Sequence, residues 1–421
     1  MTTRKRKKPV LIACGDAPNM HTGFANVMRN VLDLFKDEFD IHVLALNWDG
    51  NCPDHDRYPY RYWNPAPKPM AGEDGQIDLW GHVLLPKMVK AIRPDLILFV
   101  NDLAGYSARW QRSPQFKNFP TIGFVAFESE LFPRWWASGP MRADATVVFS
   151  DWGKRILCER NPVPPEKVHV IPHGYEPTRF HTTWKTLEER NALRAKIGMP
   201  EDAFIAFRCD RNEYRKQWPL SFQAFKQFLD ISGAQDAYLY AHTSYDDYFG
   251  WNFEDMLDVY ARDYPEGRII MTSGYNTAWK ATSQTNLNML YNLADIYFST
   301  TGGEAYGLPM HEAQAAGCPV LAPANTAVAE VVHGGWLIRG LHRINLIASI
   351  EYLPPNVDET AQWLNLIYQD VKNGRTRWWE KRQKGIEWAT QRTWSEVLKP
   401  LPALVEQVMS IPKSRRWRGK A

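Results

Sequence analysis

The chain has 421 residues, of which 44% are hydrophobic and 23% charged, values that exclude wholesale disorder. That length suits two domains of ordinary size, each able to bury a full core. A formal net charge of +3 does not by itself define a polyanionic partner, although basic runs close both ends, Arg4-Lys5-Arg6-Lys7-Lys8 and Arg415-Arg416-Trp417-Arg418-Gly419-Lys420.

Pro9 to Cys14 (PVLIAC) is a continuous apolar run, the pattern of a strand buried on both faces of a parallel sheet. It ends at Gly15-Asp16 and a loop from Ala17 to Thr22. Gly23 follows, then a helix with Phe24, Val27, Val31 and Leu34 on one face. DIHVLALNW reads as a second strand, and Asn51 to Gln76, rich in Pro, Tyr and Asp, as a long loop. RPDLILFVND, PTIGFVAFE and DATVVFSDW are three further strands, and Lys167 to Phe180 (KVHVIPHGYEPTRF) holds the last of this set. The pattern restarts near Gly174. EDAFIAFRCD, AYLYAHTS, RIIMTSG, ADIYFST and CPVLAP form five strands of a second sheet. Helices are expected between them at Trp218 to Ile231, Phe253 to Tyr264, Leu287 to Leu293 and Pro309 to Ala316, and the chain is helical from about residue 359. Strands alternating with helices predict two doubly wound α/β domains, 9–174 and 175–392, whose strand ends face a shared central cleft.

The second sheet carries the chemistry. Between ADIYFST and CPVLAP lies a Gly-rich turn and a helix, with Pro309 suited to the first helical position and Gly317 to a left-handed stop. Glu312 is thereby predicted in the first helical turn and Glu304 on the loop before it. Between them the free N–H groups of Gly307 and Leu308 face the positive end of the helix dipole, an anion site whose natural guest is a phosphate. Two acids beside a phosphate make sense if it carries hydroxyl-rich groups on both sides, such as a ribose and a hexose. Arg208 to Lys216 (RCDRNEYRK) follows the first strand of the same sheet, where a guanidinium and an ammonium would neutralise a diphosphate.

The first domain offers less. Its opening loop holds His21 and Gly23 but no G-x-G-x-x-G turn, so a dinucleotide cofactor is not expected. Asn101-Asp102 and Glu128 with Glu130 stand at strand ends, where this architecture places reactive groups. The eleven His are dispersed along the chain, and no metal is expected. Five scattered cysteines without a C-x-x-C pair fit a reducing compartment. No apolar run reaches the roughly 18 residues of a membrane span, and PVLIACGD is too short and polar for a signal segment. A soluble cytoplasmic protein is expected.

The stretch G-G-E-x-Y-G-L-P, E-A-x-A-x-G-x-P-V, with Glu330 downstream, resembles the donor-site signature of retaining GT-B glycosyltransferases of family 4. The resemblance is strongest from Arg208 to Glu330 and weakest before Asp144. It implies the GT-B fold, with the first domain on the acceptor side, helices at about 393–412 crossing back to it near Thr393-Trp394-Ser395-Glu396, and basic tails at 1–8 and 413–421. It implies that Glu304 meets the donor sugar, that Glu312 holds the ribose, and that Gly307 and Leu308 give amides to the diphosphate, with Gly303 and Tyr306 in the same donor loop. Arg211 and Lys216 reproduce the family's phosphate-binding R-x4-K spacing, with Arg208 and Arg215 in reserve, although Asp210 and Gln217 stand where the family often has Gly. His21 and Gly23 would approach the donor. Ile171-Pro172-His173-Gly174 resembles the interdomain element, with His173 in place of the commoner Asn. The family's first-domain His is absent, which leaves Glu128 and Asp102 as the catalytic candidates there.

The expected activity is metal-independent transfer of a sugar from a UDP- or GDP-sugar to an acceptor hydroxyl with retention of configuration, and no separate cofactor. The acceptor stays open. Basic tails, 18 Trp and 18 Tyr suit contact with DNA, and a start of the His21-Thr22-Gly23-Phe24 type resembles phage-encoded members acting in a host cytoplasm, so a hydroxylated DNA base is one alternative. A lipid-linked acceptor, with peripheral membrane contact, or a protein acceptor is another. No stable protein partner is implied. An inactive sugar-nucleotide-binding or assembly module is the alternative of another class.

Overall fold

The computed structural model describes residues 8–46, 48, 50, 56–64, 81–244, 250–262, 264, 267–271, 284–345 and 350–412. The two basic tails beyond Lys8 and after residue 412, most of the 51–76 loop and Cys52 lie outside the described residues. Two compact units result. The described residues within Met1–Phe127, Pro133–Pro172 and Leu398–Ala421 form one, and Glu128–Phe132 with His173–Val397 form the other.

The first unit is a seven-stranded parallel sheet: β1 (Val10–Asp16), β2 (Asp40–Leu46), β3 (Arg61–Trp63), β4 (Leu96–Asp102), β5 (Thr121–Ala126), β6 (Ala145–Val148) and β7 (Val168–Val170), in the order β3-β2-β1-β4-β5-β6-β7. Five of these follow from apolar runs that are buried on both faces, and the short β7 is only half-buried. β3 falls inside the stretch predicted as loop. It is a three-residue edge strand on β2, exposed or half-buried throughout, and therefore carries no apolar signature. The helix Gly23–Phe35 is capped by Thr22 and buries Val27 and Val31, but Leu34 is 40% exposed, so the buried stripe runs through Met28, Leu32 and Phe35 instead. The helix Leu401–Ser410 belongs to this unit and buries Leu401, Leu404, Val405 and Val408.

The second unit repeats the plan with six parallel strands: β8 (Phe204–Cys209), β9 (Ala237–His242), β10 (Ile269–Met271), β11 (Ile296–Phe298), β12 (Val320–Pro323) and β13 (Gly335–Ile338), ordered β10-β9-β8-β11-β12-β13. β13 was not expected; GWLI is too short to stand out as a run. An aromatic core holds the unit, with Trp218, Phe222, Phe225 and Phe228 of the helix Trp218–Ser232 packed among Phe204, Leu239 and Phe298. Trp110, Trp218 and Trp378 are fully buried, and Trp152, Trp184, Trp336 and Trp394 nearly so. Much of the Trp content that suggested base stacking is thus core. In each sheet the strand order reverses at one point, between β1 and β4 and between β8 and β11. Ligands of open α/β sheets bind outside the strand C-termini at such a point.

Candidate active site

In the second unit the loops after β8 and β11 emerge side by side at this switch point. The β8 loop closes through a single 3-10 turn at Tyr214–Lys216, after which Gln217 adopts a left-handed φ of 53° and Pro219 enters the next helix. This turn aims two cations at the β11 loop. The Lys216 ammonium lies 2.7 Å from Glu304 Oε1 and 2.7 Å from Asp210 Oδ1. Arg215 Nη1 is 3.1 Å from the same Glu304 oxygen and donates to the Gly303 carbonyl at 2.6 Å. Thr301 Oγ1 donates to Glu304 Oε1 at 2.8 Å. Oε1 therefore has three donors, whereas Oε2 has no partner among the described residues.

Burial works to raise the Glu304 pKa, but Lys216 and Arg215 outweigh it and bring it down to about 2. Burial likewise works to discharge Lys216, and Asp210 with Glu304 overcomes it, so its pKa is raised and the ammonium persists. Asp210, a departure from the family pattern, is here a second counter-ion for Lys216. Arg208 is wholly buried, stacked over Trp218 and bonded to Ser221, Thr300 and the Lys216 carbonyl, which makes it scaffold for the loop.

Other predicted residues fall into neighbouring groups. Arg211 is exposed, its guanidinium 2.7 Å from Glu213. Glu128, although it follows β5, sits with the second unit, its carboxylate 3.7 Å from Arg215. A Cβ on Gly303 would lie 2.2 Å from the Glu128 carbonyl, so only glycine lets these backbones meet. Gly307 has φ +104° and precedes the helix Leu308–Ala315, and neither the Gly307 nor the Leu308 N–H has an acceptor among the described residues. Leu308 takes the first helical position and Pro309 the second, so Glu312 lies past the first turn, not within it as expected. There it is half-buried, with Tyr291 Oη 3.3 Å away. Burial pushes its pKa up to about 8 despite the opposing pull of Tyr291 and Arg179. Tyr306 bonds His311 Nδ1 at 3.0 Å, and its ring lies 4.9 Å from that of His173. Burial, with a smaller push from His311, holds His173 down at about 3, a neutral imidazole.

In the first unit, His21 is exposed on the loop after β1 and Gly23 opens the following helix. Asp102 accepts the Gly105 N–H at 2.6 Å and caps the helix Leu103–Arg112, the structural job common at strand ends. The structure thus gathers Glu304, Lys216, Gly303 and Glu128, joined through Arg215, which the sequence offered only as a reserve. Thr301, Asp210 and Tyr291 were missed; Thr301 lies three residues before Glu304, and the other two approach only through the fold.

Residues 22–179 match the model of the family described as Glycosyltransferase Family 4. The chain carries a Glycosyltransferase Family 4 domain. The match lies in the first domain, where the motif resemblance was weakest, and the enzyme is on that basis a glycosyltransferase. Its whole length resembles solved structures at low identity. A glycosyltransferase from Rickettsia africae aligns with a TM-score of 0.71 at 14% identity, covering 97% of this chain and 100% of the other. Sucrose-phosphate synthase from Thermosynechococcus elongatus gives 0.70 at 17%, covering 96% and 100%. Anabaena HepE, solved in complex with UDP-glucose, gives 0.68 at 12%, covering 95% and 100%. These likenesses show the fold, and the glycosyltransferase has the GT-B fold of two Rossmann-like domains. No curated protein matches its sequence.

Proposed function

We propose that the chain transfers a sugar from a nucleoside-diphosphate sugar to an acceptor hydroxyl with retention of configuration, without a metal. One observation carries this. Glu304 is fixed through Oε1 by Lys216, Arg215 and Thr301, its Oε2 has no partner among the described residues, and the Gly307 and Leu308 amides later on the same loop have no acceptor there. A carboxylate held ionised in this way accepts a sugar hydroxyl, and the amides with Lys216 and Arg211 suit the adjoining diphosphate. Glu312 takes the ribose, and a UDP-sugar is the first donor to try, since HepE was solved with UDP-glucose.

In the reaction the C1–oxygen bond to the diphosphate breaks, the acceptor oxygen bonds C1 from the same face, and its proton passes to the departing phosphate. Charge on the leaving group grows as the bond breaks, and Lys216, Arg211 and the helix N-terminus stabilise it. Glu128, whose carboxylate lies 3.7 Å from Arg215, is the candidate for orienting the acceptor. DNA with hydroxylated bases is one acceptor class to assay, together with lipid-linked and protein hydroxyls.

The test is a calorimetric and transfer assay with UDP-, GDP-, ADP- and TDP-sugars on wild type, Lys216→Ala and Glu304→Ala. Lys216→Ala is expected to lose roughly 10²–10³ in rate, the scale of one oxyanion-type donor. Wild-type turnover in both variants would remove the assignment, and donor binding without transfer to any acceptor would favour the inactive-module alternative.

A further inference from the structure

We infer that Glu213 is an internal stand-in for the donor diphosphate, a carboxylate that occupies the outer phosphate-binding cation until substrate displaces it. This rests on the reading of Arg211 and Lys216 as diphosphate ligands and goes beyond it. The two cations are not paired alike. Lys216 is locked between Asp210 and Glu304, and all three side chains are no more than 10% exposed. Arg211 is paired outward, its side chain 59% exposed, with Glu213 Oε1 at 2.7 Å. The second oxygen of Glu213 lies 3.2 Å from Arg215 Nη2. One carboxylate thus bridges two guanidiniums, as a phosphate group does.

The backbone of Glu213 is pinned separately. Its N–H donates to the Arg211 carbonyl at 3.0 Å and its carbonyl accepts the Lys216 N–H at 2.8 Å. The side chain can therefore leave without unfolding the turn, and at 22% exposure it has a path to water. The contact with Arg211, whose side chain is 59% exposed, is screened by water on that side and worth little, so a multiply charged phosphate competes with Glu213 for this guanidinium. A diphosphate arriving while Glu213 stayed in place would face a like charge across a few ångströms, which disfavours binding. Both effects have one sign: Glu213 weakens donor binding, and weakens it more the more phosphate charge the ligand carries.

The experiment is isothermal titration of wild type, Glu213→Gln and Glu213→Asp with UDP, UMP and uridine, and with the GDP series in parallel. Glu213→Gln is expected to tighten UDP or GDP about five- to tenfold, the monophosphate less and the nucleoside not at all. Glu213→Asp keeps the charge and is expected to stay near wild type, and thermal unfolding of all three reports folding. If Glu213→Gln binds the diphosphate no better, or worse, while Arg211→Ala weakens it, then Glu213 only positions Arg211 and the inference is wrong. If wild type binds no nucleoside diphosphate, the proposed function itself fails, an outcome that the first result cannot mimic.

Discussion

Glu304 and Glu312 belong to one motif but hold opposite charge states, and the difference comes from their partners. Glu304 has two cations on one oxygen and stays ionised throughout the working range. Glu312 is half-buried with Tyr291 as its near partner, and burial lifts its pKa to about 8, so at neutral pH its carboxyl is largely protonated. Ribose hydroxyls donate most strongly to the ionised form. A UDP-sugar should therefore bind more tightly as pH rises through about 8 and release a proton on binding below it. The diphosphate diester does not itself titrate in that window, so the effect reports the protein. Calorimetry at pH 7 in buffers of different ionisation heat measures the proton, and Glu312→Gln should abolish both it and the pH slope. The unliganded protein has the reverse dependence. Its folded state holds the Glu312 proton more tightly than the unfolded chain, whose value is 4.5, so this group's contribution to stability falls as pH rises from there to about 8. A slope that survives in Glu312→Gln would assign the titration elsewhere.

At the scale of elements, the site depends on two loops meeting a third piece of chain without a side chain in the way. Gly303→Ala would set a methyl 2.2 Å from the Glu128 carbonyl, a backbone atom that cannot rotate aside. The Ser299–Gly307 loop must then shift, moving Glu304 off Lys216. The expected cost is about 1–3 kcal/mol of stability, as for other overpacked sites, with a weakened donor Kd. Unchanged donor affinity in a folded Gly303→Ala enzyme would show that the close approach is not needed for binding. The strands around this loop were legible because parallel strands buried on both faces are written as unbroken apolar runs. β3 and β13 were not, one being a polar edge and the other four residues of mixed burial. Glu304, Lys216, Gly303 and Gly307 could be picked out because their types and spacing carry a local reason. Arg215 could not be preferred to Arg211 on spacing, since which of two neighbouring guanidiniums turns inward is decided by the left-handed Gln217 and the 3-10 turn. Glu312 was placed one position early because Pro is acceptable at the first or second helical position alike.

For the second unit as a whole, one buried carboxylate joins segments far apart in the chain. Asp295, at the start of β11, accepts from Arg190 at 2.7 Å and Arg194 at 2.9 Å on the helix Leu187–Lys196. It also accepts from Arg375, before the helix Thr376–Thr390, at 2.7 Å, and from the Ile205 N–H of β8 at 2.8 Å. Burial opposes its charge, but Arg194, Arg190 and Arg375 overcome this and hold its pKa far below the ordinary carboxylate range. Removing the acid leaves three buried guanidiniums without their common counter-ion, so Asp295→Ala should cost about 3–5 kcal/mol. The loss should appear in the unfolding of the second unit alone, which requires resolving two transitions and not fitting one. Its pH dependence has a definite sign. A depressed folded pKa gives stability that is present above the unfolded value of 3.8 and is lost as pH falls. The gap between wild type and Asp295→Ala should accordingly be level from neutral pH to about 4 and narrow only below it. Equal losses in both transitions, or a gap that widens on acidification, would mean that Asp295 does not act as the ionised centre of this cluster.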